Sequence, residues 1–387
     1  MKILRMVYDW PEPWIGLAPA PYYLSKAQGE LGHEVYVLCG NLNLKRLLQL
    51  KFIERPEKNV TVYNLPRALT SSTGPFLTTA PIALLYYFYF RFIKKIDLVH
   101  GHGHMCLCFN LYKYLFGWLD KIKYVAHFHN NSIARAEKAI ENNEHLSKMQ
   151  TYFEFPLHAL SDNLAIKVAD QIITVSAQNK NEFIEINGAN EDKITVVESG
   201  VPIEKLQSLK QIPRKSNILR LGASGVISDR KGILELLDAL ALLNELDFTF
   251  SWIGGFRDKE FEDKVYKKIE SNGLKDKFII TGMVSNDSVF DYLTHLDFFI
   301  FPSKYEGLPK SVIEALAIGI PSLVSGFNFS TDIDGVEYIG SLDSNELAKQ
   351  INRFVNASYK VEREQIFNNF SWTSRAKLVE NIYNKIK

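Results

Sequence analysis

At 387 residues the chain exceeds what one hydrophobic core usually serves, so two domains are expected. Its formal charge of +1 excludes a protein built mainly to neutralise nucleic-acid phosphates. Three cysteines, Cys39, Cys106 and Cys108, are too few for a disulfide scaffold and suit a reducing compartment.

Met1-Lys2 leads straight into an apolar strand, with no secretory apolar region and small-residue cleavage site, so the expected location is cytoplasmic. Ile3 to Tyr8 reads as that strand. Ala20 to Leu31 reads as a helix closed by Gly32, and Glu34 to Leu38 as the second strand. Gly16 lies in the loop between the first strand and its helix. Val60 to Leu65 alternates like a strand. Pro81 to Ile93 is the longest apolar run, but it falls short of the roughly 20 residues a membrane span needs, and Arg91 interrupts it. A buried or interfacial helix is the expectation there. Asp97 to His100, Lys123 to His127, Gln171 to Val175 and Ile194 to Val197 continue the strand series, with helices between. Residues 135 to 158 read as an irregular helical insertion. Strands alternating with helices imply a parallel, doubly wound sheet.

From Pro202 to Asn217 the chain is polar and proline-punctuated, which marks a domain boundary. A second strand–helix series follows: Leu219 to Ala223, Phe248 to Ile253, Phe278 to Thr281, Phe298 to Phe301 and Ser322 to Val324. The expected division is an N-terminal domain over 1–204, a second domain over 215–370 and a final helix over 371–387. Two such α/β domains place a ligand cleft at the carboxyl ends of their strands.

Phe301 to Pro321 carries the chemistry. A strand ends at Pro302-Ser303, Pro309 suits a first helical turn, and Gly319-Ile320-Pro321 stops the helix. Glu306 then precedes a helix N-terminus and Glu314 projects from within the helix. Strand, turn and helix start form an anion site, and carboxylates beside it suit a ligand that also carries hydroxyls. The bland alternative is a solvated loop glutamate and a helix-face glutamate.

Lys231 opens a comparable strand–loop–helix unit, GASGVISDRKG, where a full cation beside a helix start suits a diphosphate. Arg230 adjoins it, but neighbours on an α-helix do not share a face.

Alternating histidines at His100, His102 and His104, and again at His127 and His129, invite a zinc reading. No cysteine pair or nearby carboxylate set completes a ligand shell in the sequence. Asp332-Ile333-Asp334 could hold a divalent cation on a diphosphate, yet TDIDG reads better as a turn. No metal site is expected.

The pattern E-G-L-P-x(4)-E-A-x-A-x-G-x-P, with glutamates at 306 and 314, resembles the signature of the retaining GT-B glycosyltransferases of family four, the group 1 glycosyltransferases. The likeness covers nearly the whole chain. It implies two Rossmann-like domains facing a central cleft, with the C-terminal helix crossing back to the first. By that resemblance Glu306 contacts donor-sugar hydroxyls and Glu314 the ribose, and Gly307, Leu308 and Pro309 complete the donor loop. Lys231 faces the diphosphate, Gly16 approaches the donor phosphates, and His129 faces the reacting sugar; Arg230 has no counterpart in the resemblance and is a candidate phosphate ligand only as the neighbour of Lys231. One departure stands out: the family's phosphate-binding arginine falls on Val226, and an aliphatic side chain cannot make that bidentate contact.

The resemblance implies an enzyme that moves a hexose from a nucleoside-diphosphate sugar to a glycan or lipid-linked glycan; without a convincing metal-ligand set, and with Lys231 at the diphosphate position, it is expected to need no metal or cofactor. The expected setting is cell-surface polysaccharide synthesis. An interfacial 81–93 helix would make the protein peripheral at the inner membrane face, with an anionic surface as a further partner. The rival readings are a sugar-nucleotide-binding subunit without turnover and a nucleotide-sugar epimerase on the same fold.

Overall fold

The computed structural model describes residues 1–11, 19–66, 78–141 and 148–387. They form two compact units: Met1–Ser199 with Trp372–Lys387, and Gly200–Ser371.

In the first unit the described strands are β1 (Lys2–Met6), β2 (Glu34–Leu42), β3 (Ile53–Glu57), β4 (Val60–Pro66), β5 (Leu98–His102), β6 (Lys123–Phe128), β7 (Gln171–Thr174) and β8 (Ile194–Val196). They make one sheet in the order β3-β4-β2-β1-β5-β6-β7-β8. Only β3 runs antiparallel, on β4 at the edge. Its sequence IERPE carries a proline and three charges, a composition that an edge tolerates and a central strand does not. The central strands are buried along most of their length, the mark of parallel strands covered on both faces.

The helices of this unit are α1 (Pro19–Glu30), α2 (Leu44–Leu48), α3 (Ala80–Tyr89), α4 (Leu107–Phe116), α5 (Ser132–Glu141), α6 (Phe155–Val168) and α7 (Ala177–Asn187). On one sheet face Ala83 and Tyr87 of α3 and Phe109 of α4 pack with Val99 and Tyr124. On the other, Leu24 and Ala27 of α1 pack with Ile3, Val35 and the C-terminal helix 372–386. Burying each such aliphatic or aromatic side chain contributes about 1.5–3 kcal/mol. That helix is also fixed by polar contacts. The Tyr383 hydroxyl lies 2.5 Å from His100 Nδ1 and accepts from Gln28 Nε2 at 3.1 Å, while the buried Arg5 guanidinium donates to Gln28 Oε1 and Ser25 Oγ.

The second unit holds β9 (Leu219–Ser224), β10 (Phe248–Ile253), β11 (Phe278–Ile280), β12 (Phe298–Pro302), β13 (Ser322–Ser325) and β14 (Val336–Tyr338), all parallel, in the order β11-β10-β9-β12-β13-β14. Its helices are α8 (Ile203–Leu206), α9 (Ile233–Ala241), α10 (Lys259–Ser271), α11 (Asn286–Thr294), α12 (Lys310–Ile318), α13 (Ser344–Asn356) and α14 (Arg363–Phe370); α15 (Trp372–Ile386) is the C-terminal helix of the first unit. One face packs under α9, α10 and α13 through Leu236, Val265 and Ile351. The opposite face packs under α8, α11, α12 and α14 through Leu206, Leu293, Leu316 and Ile366. The proline-punctuated stretch 202–217 is tied to this unit: Leu206 is buried in its core, Ile212 N donates to Thr294 O, and Arg363 donates to Leu206 O and Leu209 O.

The chain reverses its direction of strand addition between β1 and β5 in one sheet and between β9 and β12 in the other. Ligands of open α/β sheets bind at such switch points, beyond the carboxyl ends of the strands.

Candidate functional site

In the second unit the loops after β9 and β12 converge at the switch point. After β12 the chain turns through Ser303 to Leu308. Pro309 takes the N-cap position at φ −75° and ψ 112°, and α12 follows. Gly319, at φ +102°, ends the helix where a side chain would be strained. The Glu306 N–H donates to Gly326 O at 2.7 Å, which fixes the loop.

After β9 the chain forms a 3₁₀ turn, Asp229–Lys231, and α9 starts only at Ile233. Lys231-Gly232 thus lies before the α-helix and does not open it, contrary to the expectation from sequence. Gly232 instead sits in the left-handed region at φ +66°, and a Cβ there would lie 1.9 Å from Pro302 O. That close approach is open only to glycine, and it draws the Lys231 turn onto the end of β12. Lys304 N and Ser303 Oγ both donate to Arg230 O, which stitches the two loops together.

Lys231 Nζ donates to Glu306 Oε1 at 2.6 Å and lies 4.4 Å from the Phe301 ring centroid, a cation–π contact. Arg230 Nη1 lies 2.6 Å from the same carboxylate oxygen and donates to Tyr305 O. Ser303 Oγ is 3.0 Å from it. The side chains of Lys231 and Glu306 are each 11% exposed, while Arg230 is 44% exposed. The expectation that neighbours cannot share a target fails because the 3₁₀ turn aims both cations at one carboxylate. Burial pushes the Glu306 carboxyl up, but Lys231 and Arg230 outweigh it and hold it below the usual carboxylate range. The site is therefore a carboxylate clamped by two cations, of which Arg230 reaches solvent.

Glu314 lies inside α12 and is half-buried. Burial pushes its carboxyl up to about 7, and Lys310 one turn earlier offsets this only in part. Leu308 packs on the core below α12, Gly307 is half-buried in the loop, and Val226 precedes Ile227, which bridges to Phe256. Gly16 lies outside the described residues. In sequence Phe301 and Ser303 read only as the end of a strand, not as contacts of Lys231 and Glu306, and Gly326 has no reading at all. Gly326, at φ +83°, would carry a Cβ 2.5 Å from Ser303 O, and an S-G pair was its only local signal.

His129 belongs to the first unit, just beyond β6, with Nε2 3.4 Å from His102 Nδ1. It lines a small pocket with His102, His127, Glu198, Trp372 and Arg375. Among the described residues, His100, His102 and His127 bring ring nitrogens within 4.8 Å of one another, a grouping the sequence reading had not assembled. The rings stack, with His102 centroids 4.6 Å from both neighbours, and His100 Nε2 lies 3.2 Å from His127 Nδ1. Rings stacked at 5° to 28° keep their in-plane lone pairs in separate layers, and the Arg5 guanidinium stands 3.5 Å from His100. Burial, with the neighbouring Arg5 guanidinium and histidine rings, pushes all three well below the usual histidine range. Asp332 and Asp334 are exposed, and Gln365 bonds the backbone of both in a turn.

The family model "Glycosyl transferases group 1" matches residues 205–370 and "Glycosyltransferase Family 4" matches residues 16–205. An uncharacterized glycosyltransferase of Methanocaldococcus jannaschii is 24% identical over 99% of this chain and 98% of its own. The Escherichia coli UDP-Gal:alpha-D-GlcNAc-diphosphoundecaprenol alpha-1,3-galactosyltransferase is 27% identical, over 58% of this chain and 59% of its own. The Anabaena HepE structure in complex with UDP and glucose superposes with a TM-score of 0.70 at 17% identity, covering 100% of both chains. The fold is the two-domain GT-B type, and the chain belongs to the group 1 glycosyltransferases.

Proposed function

We propose that this glycosyltransferase retains the anomeric configuration of its donor and transfers a hexose from a nucleoside-diphosphate sugar to a glycan or lipid-linked glycan in polysaccharide synthesis. The observation that carries the reading is the Lys231–Glu306–Arg230 cluster at the carboxyl end of β12. A diphosphate leaving group gains negative charge as the anomeric C–O bond breaks, and preorganised cations in a partly dry site are where that charge is stabilised. Donor binding sets phosphate oxygens against Lys231 and Arg230, which frees Glu306 to accept hydrogen bonds from sugar hydroxyls. The acceptor hydroxyl attacks the donor face that the diphosphate leaves, its proton passing to the departing phosphate oxygen. In this reading Glu314 holds the ribose, His129 contacts the sugar, and Lys231 supplies the charge that a metal supplies in other transferases.

The bound UDP and glucose named for the Anabaena structure and the lipid diphosphate named for the Escherichia coli relative support this donor and acceptor class. The test is mass spectrometry of products from a panel of UDP- and GDP-hexoses with glycan and lipid-linked acceptors. A glycosylated product with the donor's anomeric configuration is expected. Binding of sugar nucleotides without transfer or hydrolysis would favour the non-catalytic subunit instead.

A further inference from the structure

Helices α3 and α4 lie side by side on the first unit's sheet. Tyr87 meets Phe109 at 4.8 Å between ring centroids, and Phe88 meets Tyr112 at 5.1 Å. Their inward residues, Ala83, Tyr87, Phe90 and Phe109, are fully buried. The outward residues are apolar as well. On α3 and the π turn Phe90–Lys94 that continues it, Leu85, Tyr86, Tyr89, Phe92 and Ile93 are exposed at helical spacing. On α4 and the turn after it, Leu111, Tyr114, Leu115, Trp118 and Leu119 repeat that spacing, with Leu85 and Trp118 each 69% exposed. A row of ring contacts, Phe92 to Phe88 to Tyr112 to Phe116, joins the two stripes. Scattered exposed apolar residues are ordinary, but two adjacent stripes of this size mark an interaction surface.

We propose that the α3–α4 face docks flat on a bilayer containing anionic lipid. The charge pattern selects that occupant. Between residues 80 and 119 the only acidic residue is Asp97, whereas Lys95 and Lys121 are exposed beside the stripes. Arg91, within the first stripe, is held by Asp120 at 3.0 Å. Aromatic rings suit the headgroup level, and flanking lysines meet anionic phosphates. A second copy fits less well, because an isologous contact sets the lysine-bearing rim against its own copy. Among the described residues no helix is long and apolar enough to cross a membrane, so the face lies on the surface. The proposal deepens the lipid-linked acceptor reading above, and its test runs without donor, so the two fail separately.

The experiment is co-sedimentation with vesicles of phosphatidylcholine alone or with about 30% phosphatidylglycerol, at low salt. Wild type should pellet with the anionic vesicles, and its tryptophan emission should be quenched by brominated lipid. Phe92→Ser with Trp118→Ser should lower partitioning by about tenfold or more, with the melting temperature unchanged because both side chains are exposed. Lys95→Gln with Lys121→Gln should lower partitioning several-fold at low salt and little at high salt. Wild type that stays in the supernatant with anionic vesicles overturns the proposal. So does a dimer in solution that the double serine variant dissociates, since the face would then be a protein interface.

Discussion

Lys231 Nζ and Glu306 Oε1 stand 2.6 Å apart across the ends of β9 and β12, the two strands at which the second sheet reverses its winding. Both side chains are mostly shielded from water, so each cation–carboxylate contact there is stronger than on a surface. Lys231→Ala is expected to lower kcat/KM for transfer by about 10²–10³-fold, the scale of losing a preorganised charge at a leaving group. Arg230→Ala, at a side chain with ample solvent access, should cost no more than about tenfold. Steady-state kinetics on both variants decide this: an Arg230 effect equal to or above that of Lys231 would transfer the main phosphate role to the arginine.

Glu306 serves two purposes, and two substitutions separate them. Glu306→Gln keeps an acceptor oxygen for Lys231, so the fold should persist while transfer falls to background and nucleoside diphosphate still binds. Glu306→Ala strands a shielded ammonium without its counter-ion, which should lower stability by about 3 kcal/mol. Chemical denaturation and calorimetry with UDP and GDP read the two effects. Near wild-type turnover in Glu306→Gln would remove Glu306 from the reaction.

Much of this was legible in the sequence. The apolar run Phe298 to Phe301, stopped by proline and followed by a helical pattern, declares a buried parallel strand and its crossover. Lys231 and Glu306 each read as charges before a helix. Their contact, 75 residues apart, depends on β9 and β12 becoming neighbours, which local pattern does not encode. The stack of histidines is similar. Each H-x-H puts two rings on one strand face, but only the β5–β6 register, His102 opposite His127, makes them touch. The antiparallel β3 escaped notice because its proline and charges mask a strand that lives at an edge. The apolar run 81–93 read as a buried or an interfacial helix, and its burial is divided: Tyr87 and Phe90 are buried while Phe92 and Ile93 are exposed.

Glu314 gives a pH signature. Its native carboxyl stands at about 7 against an ordinary 4.5, so between those values the native state holds a proton that the unfolded chain has released. Stability should therefore fall as pH rises from about 4.5 to about 7 and level off above. Glu314→Gln removes the slope and at pH 8 should be more stable than wild type by up to about 3 kcal/mol. If the ionised carboxylate accepts ribose hydroxyls, nucleotide affinity of the wild type should rise between pH 6 and 8 and lose that dependence in the variant. Parallel melting curves of the two proteins across this range would contradict the placement of the proton.

Transfer activity should survive EDTA. The diphosphate reading rests on Lys231 and Arg230, and the histidine stack has its rings parallel beside the Arg5 guanidinium. If chelation stopped transfer and Mg²⁺ or Mn²⁺ restored it, the exposed Asp332 and Asp334 would become the site to mutate.

Gly232 and Gly188 allow the positioning of Lys231 to be tested apart from backbone strain. Both sit in the left-handed region, at φ +66° and φ +64°. A Cβ on Gly188 would meet nothing within 4 Å, so Gly188→Ala carries only the conformational cost, about 1 kcal/mol. A Cβ on Gly232 would lie 1.9 Å from Pro302 O, a backbone atom of β12 that cannot rotate aside. The Asp229–Lys231 turn must then move away from β12 or the strand end must shift, and either movement separates Lys231 from Glu306. Gly232→Ala should therefore lose stability by about 2 kcal/mol more than Gly188→Ala, and transfer by about 10²-fold at temperatures where it stays folded. Paired melting curves and kinetics measure both quantities. Equal behaviour of the two variants would mean that the close approach at Pro302 does not hold Lys231 in place.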